Sequence, residues 1–186
     1  MNWGECYFDH FGKLFRTAVA REKYSQGPDE HSIQVLAYDG VFQGCRVFAS
    51  LGLTHYSEQV GQIAEVYLPA DAAWDRVPAL LANALFYVVQ EGMHIGWGIG
   101  IGGVGNLSPE FEREYGKTAL YVTSPFGLPE GAALVKCNGE QGRLYVAVFI
   151  TGEEYEFFLM HGAERLEEVM QEKAVDPYSL ARPSCV

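Results

Sequence analysis

Residues 94–107 read HIGWGIGIGGVGNL and hold two overlapping G-x-G-x-x-G patterns, one at Gly98, Gly100 and Gly103, the other at Gly100, Gly102 and Gly105. A dinucleotide fingerprint requires a strand that delivers a tight glycine turn to a helix N-terminus, whose free N–H groups and dipole hold the pyrophosphate. Here the strongest helical pattern of the chain comes immediately before the glycines, and no acidic residue follows about twenty positions on at the end of a second expected strand. That order argues against a doubly wound nucleotide-binding fold. The same letters also have a period of two, because Gly96, Gly98, Gly100 and Gly102 alternate with Ile95, Trp97, Ile99 and Ile101. A strand or strand-like loop with one bare face lets another element approach closely, and this is the reading preferred here. A mobile loop is the remaining alternative. SPEFEREY then reads as a short helix capped by Ser108 with Pro109 first, leaving room for an anion at its N-terminus.

The helix before the glycines runs from Trp74 to Glu91. Val77, Leu81, Ala84, Leu85 and Val88 form its stripe, Asp75 is the expected cap, Pro78 sits in the first turn and Gly92 ends it. Further upstream, HSIQVLAY puts Ile33, Val35 and Ala37 on one face of a strand, and GCRVFASLGL and GQIAEVYLP read as neighbouring strands. DGVFQG, with Gly40 and Gly44 at its ends, is the expected hairpin connection between the first two. Near the N-terminus, ECYFDHFGKLFR carries Tyr7, Phe8, Phe11, Leu14 and Phe15 at helical spacing, weakened by Gly12, and the irregular SQGPDEHS follows.

Downstream, TALYVTS is a further strand leading into the PFGLPEG turn. ALVKC and RLYVAVFI flank NGEQG, whose Asn-Gly pair signals a second hairpin. In TGEEYEFFLMHGAERLEEVMQEK, Thr151 and Glu154 form a capping box. Tyr155, Phe158 and Leu159 give the helix an apolar face and Gly162 allows a break. Ala163, Leu166 and Met170 begin a second stripe, with Glu164, Glu167 and Glu168 expected to face outward. This order predicts an α+β fold: an α/β sandwich in a single domain over residues 1–186, its mixed, largely antiparallel sheet flanked by helices.

Bulk composition agrees with one globular domain: 48% apolar and 13% aromatic residues against 20% charged in 186 residues are enough for one sizeable core. The 24 acidic and 13 basic residues give a net charge of −11. Such a field repels nucleic acid and anionic membranes while tolerating a basic partner, although it also serves solubility alone. Cys6, Cys45, Cys137 and Cys185 are far apart and carry no metal-ligand spacing. The opening MNWGECYFDH lacks a basic and an apolar leader segment, and no window is a membrane span, so the expectation is a cytoplasmic protein with reduced thiols.

No catalytic constellation emerges. His10, His31, His55, His94 and His161 form neither H-x-x-x-H nor H-E-x-x-H, G-x-S-x-G is absent, and Cys45 and Cys137 lie in expected strands as small buried hydrophobes. The pairs Glu153–Glu154 and Glu167–Glu168 are read as solvated helix faces. No metal and no cofactor is expected.

From about His31 to Lys173 the chain resembles the suppressor of fused domain family, specifically its compact single-domain bacterial members. HSIQVLAYDGVFQGCRVFASLGL, LLANALFYVVQEG, TSPFGLP, VFITGEEYEFFLMHGAERLEEVM and the terminal ARPSCV carry the resemblance through their order and spacing. It implies an α/β sandwich with a mixed sheet, and an N-terminal helix and C-terminal tail packed on the core. Eukaryotic relatives are two-lobed cytoplasmic regulators that grip a peptide strand between lobes, and only the first lobe has a counterpart here. Bacterial members resemble immunity or antitoxin proteins that neutralise a toxin by direct binding. The implied role is therefore a non-catalytic domain that binds another protein, a basic toxin encoded nearby in the sharpest form. By the same resemblance, the partner-binding positions are Gly52, Leu53, Thr54, His55 and Tyr56. Two competing readings are a nucleotide or small-molecule binder using residues 96–105, and a domain whose partner is a second copy of itself.

Overall fold

The computed structural model describes residues 1–28, 30–71 and 74–186. Helix α1 (Trp3–Phe15) is followed by strands β1 (Ala20–Tyr24), β2 (Ile33–Asp39) and β3 (Arg46–Leu51), a 3-10 turn at Leu53–Tyr56 and β4 (Ala64–Ala70). Then come α2 (Val77–Gln90), β5 (Ile99–Ile101), α3 (Val104–Leu107), α4 (Pro109–Tyr115), β6 (Lys117–Thr123), β7 (Leu134–Cys137), β8 (Glu140–Thr151), α5 (Gly152–His161) and α6 (Ala163–Glu172). One mixed sheet runs β1-β2-β3-β4-β8-β6-β5, with β7 paired to the start of β8. Only β4–β8 is parallel, and the other pairs are antiparallel. This is the expected α+β architecture.

Both faces of the sheet are covered. Ile33, Val35 and Ala37 of β2 join Val66, Leu68 and Phe149 beneath α2, whereas Leu36 and Tyr38 of the same strand join Tyr67, Tyr121 and Val148 on the other face. There α1 inserts Tyr7, Phe11 and Phe15, and Phe15 packs on Tyr38 and Tyr67 with ring centroids 5.3 Å from each. The period-two pattern therefore splits the central strands β2, β3, β4, β6 and β8 between two cores rather than between core and solvent. Both hairpins form, the second with a shorter loop than the expected NGEQG, because Glu140, Gln141 and Gly142 already pair with β7. Asp39 faces Arg46 across the first, and the second turns through Asn138 and Gly139, both at positive φ, as a tight two-residue loop requires.

The glycine stretch contributes only the three residues of β5 to the sheet, but its bare face is filled as expected. A Cβ on Gly100 would lie 2.6 Å from the Phe158 ring, one on Gly98 2.8 Å from Ala163, and one on Gly102 2.9 Å from the Tyr155 hydroxyl. Glycine is what allows α5 and the start of α6 to dock on this edge.

Several local expectations are corrected. β1 was not foreseen, because its AREKY sequence is almost wholly exposed and has no apolar alternation. Arg76, not Asp75, occupies the α2 cap position, and no side chain caps it. Phe8 and Leu159 are exposed despite their stripe positions. Glu167 turns inward and accepts hydrogen bonds from Tyr121 Oη (2.8 Å), Thr123 Oγ1 (2.6 Å) and Trp97 Nε1 (3.0 Å). Cys45 precedes β3 as a half-buried thiol. Cys6 and Cys137, 131 residues apart in the chain, form a disulfide that ties α1 to the end of β7, so the expectation of reduced thiols fails at this pair. No described helix is long and apolar enough to cross a membrane.

Candidate functional site

The segment assigned to partner binding forms a tight bend between β3 and β4. Gly52 has φ +120°, and a Cβ there would lie 2.5 Å from the Ser32 carbonyl oxygen, so only glycine fits. Leu53, Thr54 and Tyr56 are buried, and of the five residues His55 alone is exposed. Glu65 of β4, fully buried, holds the bend: one carboxylate oxygen accepts from Gly52 N–H (2.7 Å) and Thr54 N–H (3.3 Å), the other from Ser50 Oγ (2.6 Å) and Leu53 N–H (3.3 Å). Burial raises the Glu65 carboxyl above its ordinary value even against these donors, because no cation accompanies them.

At the surface of the bend, His55 stacks on His31 with ring centroids 4.4 Å apart, and Tyr56 Oη donates to the His31 carbonyl. Burial, and then the charge of His31, hold His55 below the ordinary histidine value. Gly52 and His55 border a cleft of about 460 Å³, with Asn2, Glu5, Phe8 and Arg21 on its other walls. The exposed ring of Phe8 thus faces the same cleft as His55, an adjacency that no sequence pattern carried.

A larger cleft, about 760 Å³, opens where β1, β2 and β3 meet the start of α2. Its lining includes Ala20, Ala37, Phe48 and Trp74.

A second set of buried charges, from α5, β6 and the C-terminal tail, converges on Arg182. Glu154, the capping-box residue of α5, accepts from the Arg182 guanidinium (Nη2–Oε2 2.9 Å) and from Cys185 N–H (3.0 Å). Burial would raise its carboxyl, but Arg182 and the Thr151 N–H outweigh this and hold it below the ordinary value. Lys117, also buried, donates to the Arg182 carbonyl (2.9 Å) and is pushed down to about 8 by burial and by Arg182. Burial and Glu154 push the Cys185 thiol up to about 11, and burial with Asp176 and Asp71 raises Cys45, so neither thiol is activated as a nucleophile. The cluster straps the tail onto α5. Sequence reading placed Glu154 as a cap, but its assignment with Glu153 to a solvated face is overturned, because the tail covers Glu154 completely. Glu65 and Arg182 were missed, and the signal for Glu65 was a carboxylate amid a strand apolar on both faces.

The glycine stretch offers no phosphate cradle: Tyr155, Phe158 and Ala163 fill its bare face, and α3 and α4 span only four and seven residues. Among the described residues, no group of three or more His, Cys, Asp or Glu is placed to hold a metal ion.

One mixed eight-stranded sheet with helices on both faces, carrying clefts at its β1 end, defines the class of domain. The model of the suppressor of fused protein (SUFU) family matches residues 29–183, and the chain belongs to that family. Among solved structures, the chain is similar to a SUFU homolog from Neisseria gonorrhoeae FA 1090, with a TM-score of 0.72 at 18% identity, covering 99% of this chain and 97% of that one. It is also similar to a chain of the Sufu–Fu complex (TM-score 0.66, 14% identity, 97% and 91% covered). Drosophila Suppressor of Fused matches with a TM-score of 0.65 at 15% identity, where 97% of this chain spans 50% of that protein. No curated protein sequence matches the chain.

Proposed function

We propose that this SUFU-family domain is a non-catalytic binding protein that occupies another protein and blocks its action, as a bacterial immunity or antitoxin protein does with a basic toxin encoded nearby. Family membership carries the reading, together with a related chain that was solved as part of the Sufu–Fu complex. The net charge of −11 supports a basic partner, because complementary fields speed encounter. The buried carboxylates are committed to holding a bend and a tail, which leaves them unavailable for proton transfer. Of the segment 52–56, His55 makes the contact in this reading, while Gly52, Leu53, Thr54 and Tyr56 shape the bend that presents it beside Phe8.

Co-expression with the product of the neighbouring gene tests the proposal through growth rescue and pull-down. Rescue with a stable complex is expected, and failure to bind or rescue against any neighbouring product overturns it. The reading also sets the domain in the cytoplasm, where disulfides are rare. Thiol labelling of acid-quenched cells checks the Cys6–Cys137 bond: two modified cysteines are expected if it persists there, four if it is reduced.

A further inference from the structure

The cleft of about 760 Å³ has a built floor and a one-signed rim. Ala20 pairs with Ala37 and Ala37 with Phe48 across β1, β2 and β3, and Ala70 pairs with Arg46 two residues before Phe48, so the three alanines leave a depression beside the Phe48 ring. Trp74 and Pro78 at the start of α2 form one wall, and the β2–β3 hairpin, through Gly40, Phe42, Gln43 and Gly44, borders the other side, with the Phe42 ring packed on Tyr178 at a centroid distance of 5.0 Å. Around this apolar trough lie the carboxylates of Glu22, Asp39, Asp71 and Asp75. Among the described residues of the lining, Arg46 is the one cation, and its guanidinium is already held by Asp39 at 2.7 and 3.0 Å. Glu22 accepts from Tyr24 Oη (2.5 Å) and Asp71 from Leu180 N–H (2.9 Å), but no cation of the described lining is paired with Glu22, Asp71 or Asp75. The size falls in the range of sites that enclose ligands rather than single ions.

Resting on the protein-binding reading above, we propose that this groove receives a short extended segment of the partner that carries lysine or arginine side chains. Their aliphatic stems lie over the alanines of the floor between Trp74 and the β2–β3 hairpin, and their charged heads reach the carboxylates of the rim. An aromatic wall beside an acidic rim suits arginine in particular, which stacks on rings while donating to carboxylates. A neutral or acidic segment would leave the rim charges uncompensated.

The probe is a fluorescein-labelled octapeptide of alternating arginine and alanine, followed by anisotropy. Ala20→Trp fills the floor from an exposed edge position without changing charge, and Glu22→Gln with Asp75→Asn neutralises two exposed rim groups. Each is expected to weaken binding by about tenfold or more, while Glu58→Gln with Glu91→Gln, the same charge change elsewhere on the surface, stays within about twofold. Equal loss in the two charge-neutralised pairs would mean attraction by net charge alone and overturns the groove, as does unaltered binding by the Ala20→Trp protein or no binding by the wild type. Thermal melts of the variants confirm that all are folded. If the wild type rescues growth from its neighbour's toxin and Ala20→Trp rescues equally, the groove fails and the binding reading stands; if the wild type binds no neighbour, that reading fails on its own.

Discussion

Glu65 and Glu154 are both fully buried and both accept backbone N–H groups, yet their carboxyls are displaced in opposite directions. Glu65 meets four donors and no cation, and desolvation prevails. Glu154 meets two backbone N–H groups and the Arg182 guanidinium, and the charge prevails. Dipoles satisfy a buried carboxylate, but here a full opposite charge decides which protonation state the fold prefers. The two sites also differ in what they hold: Glu65 fixes a bend within a few residues of itself, whereas Glu154 anchors a tail 28 residues further along the chain.

Arg182→Met should have the largest effect on this contrast. It leaves Glu154 buried without its cation, and loss of one partner from such a pair costs about 3–5 kcal/mol. For a chain of this size, that is a fall in Tm of roughly 6–20 °C by calorimetry. The deficit should shrink as pH falls, since a protonated Glu154 needs no cation. Gly52→Ala comes next, because the new Cβ meets a backbone carbonyl at a left-handed φ; the expected loss is about 2–3 kcal/mol by urea denaturation. Glu65→Gln keeps an acceptor but sets an amide N–H₂ against a backbone N–H, a cost of about 1–3 kcal/mol.

The pH dependence separates the two carboxylates. Glu154, lowered, contributes stability above its ordinary value of 4.5 that is lost as pH falls through its depressed folded value. Glu65, raised, contributes stability below 4.5 that is lost as pH rises through its elevated folded value. Stability–pH curves should therefore lose their acid limb in Arg182→Met and part of their decline towards neutrality in Glu65→Gln. Smallest of all is His55→Ala, within about 0.5 kcal/mol in stability because the ring is exposed, yet measurably weaker in pull-down of the partner. Full capture by that variant would remove His55 from the contact.

Wherever the physical cause was local, the elements were legible in the chain. The capping box at Thr151, the Asn138–Gly139 hairpin and the stripe of α2 all rest on groups within one or two turns of each other. β1 escaped because an exposed edge strand pairs through its backbone and needs no apolar alternation. Glu167 was read as solvated because helix periodicity cannot show that Tyr121, Thr123 and Trp97 converge on one of its flanks. Of the candidate site, five positions were named and one proved to be exposed; Phe8, in the same cleft, came from a helix nearly fifty residues away.

The stretch HIGWGIGIGGVGNL shows where that division falls. Its order after a helix and its period of two made a phosphate cradle the lesser reading and favoured a bare face that another element covers, with nucleotide binding and a mobile loop left as alternatives. Only the tertiary structure decided that the partner is Phe158 and Tyr155 of α5 and Ala163 of α6, because these are brought there by the antiparallel pairing of β6 with β8 and by the cap at Thr151. Local backbone preferences and side-chain alternation act over a few residues and can be read from their order. Which surfaces meet depends on the whole sheet, and no segment encodes that alone.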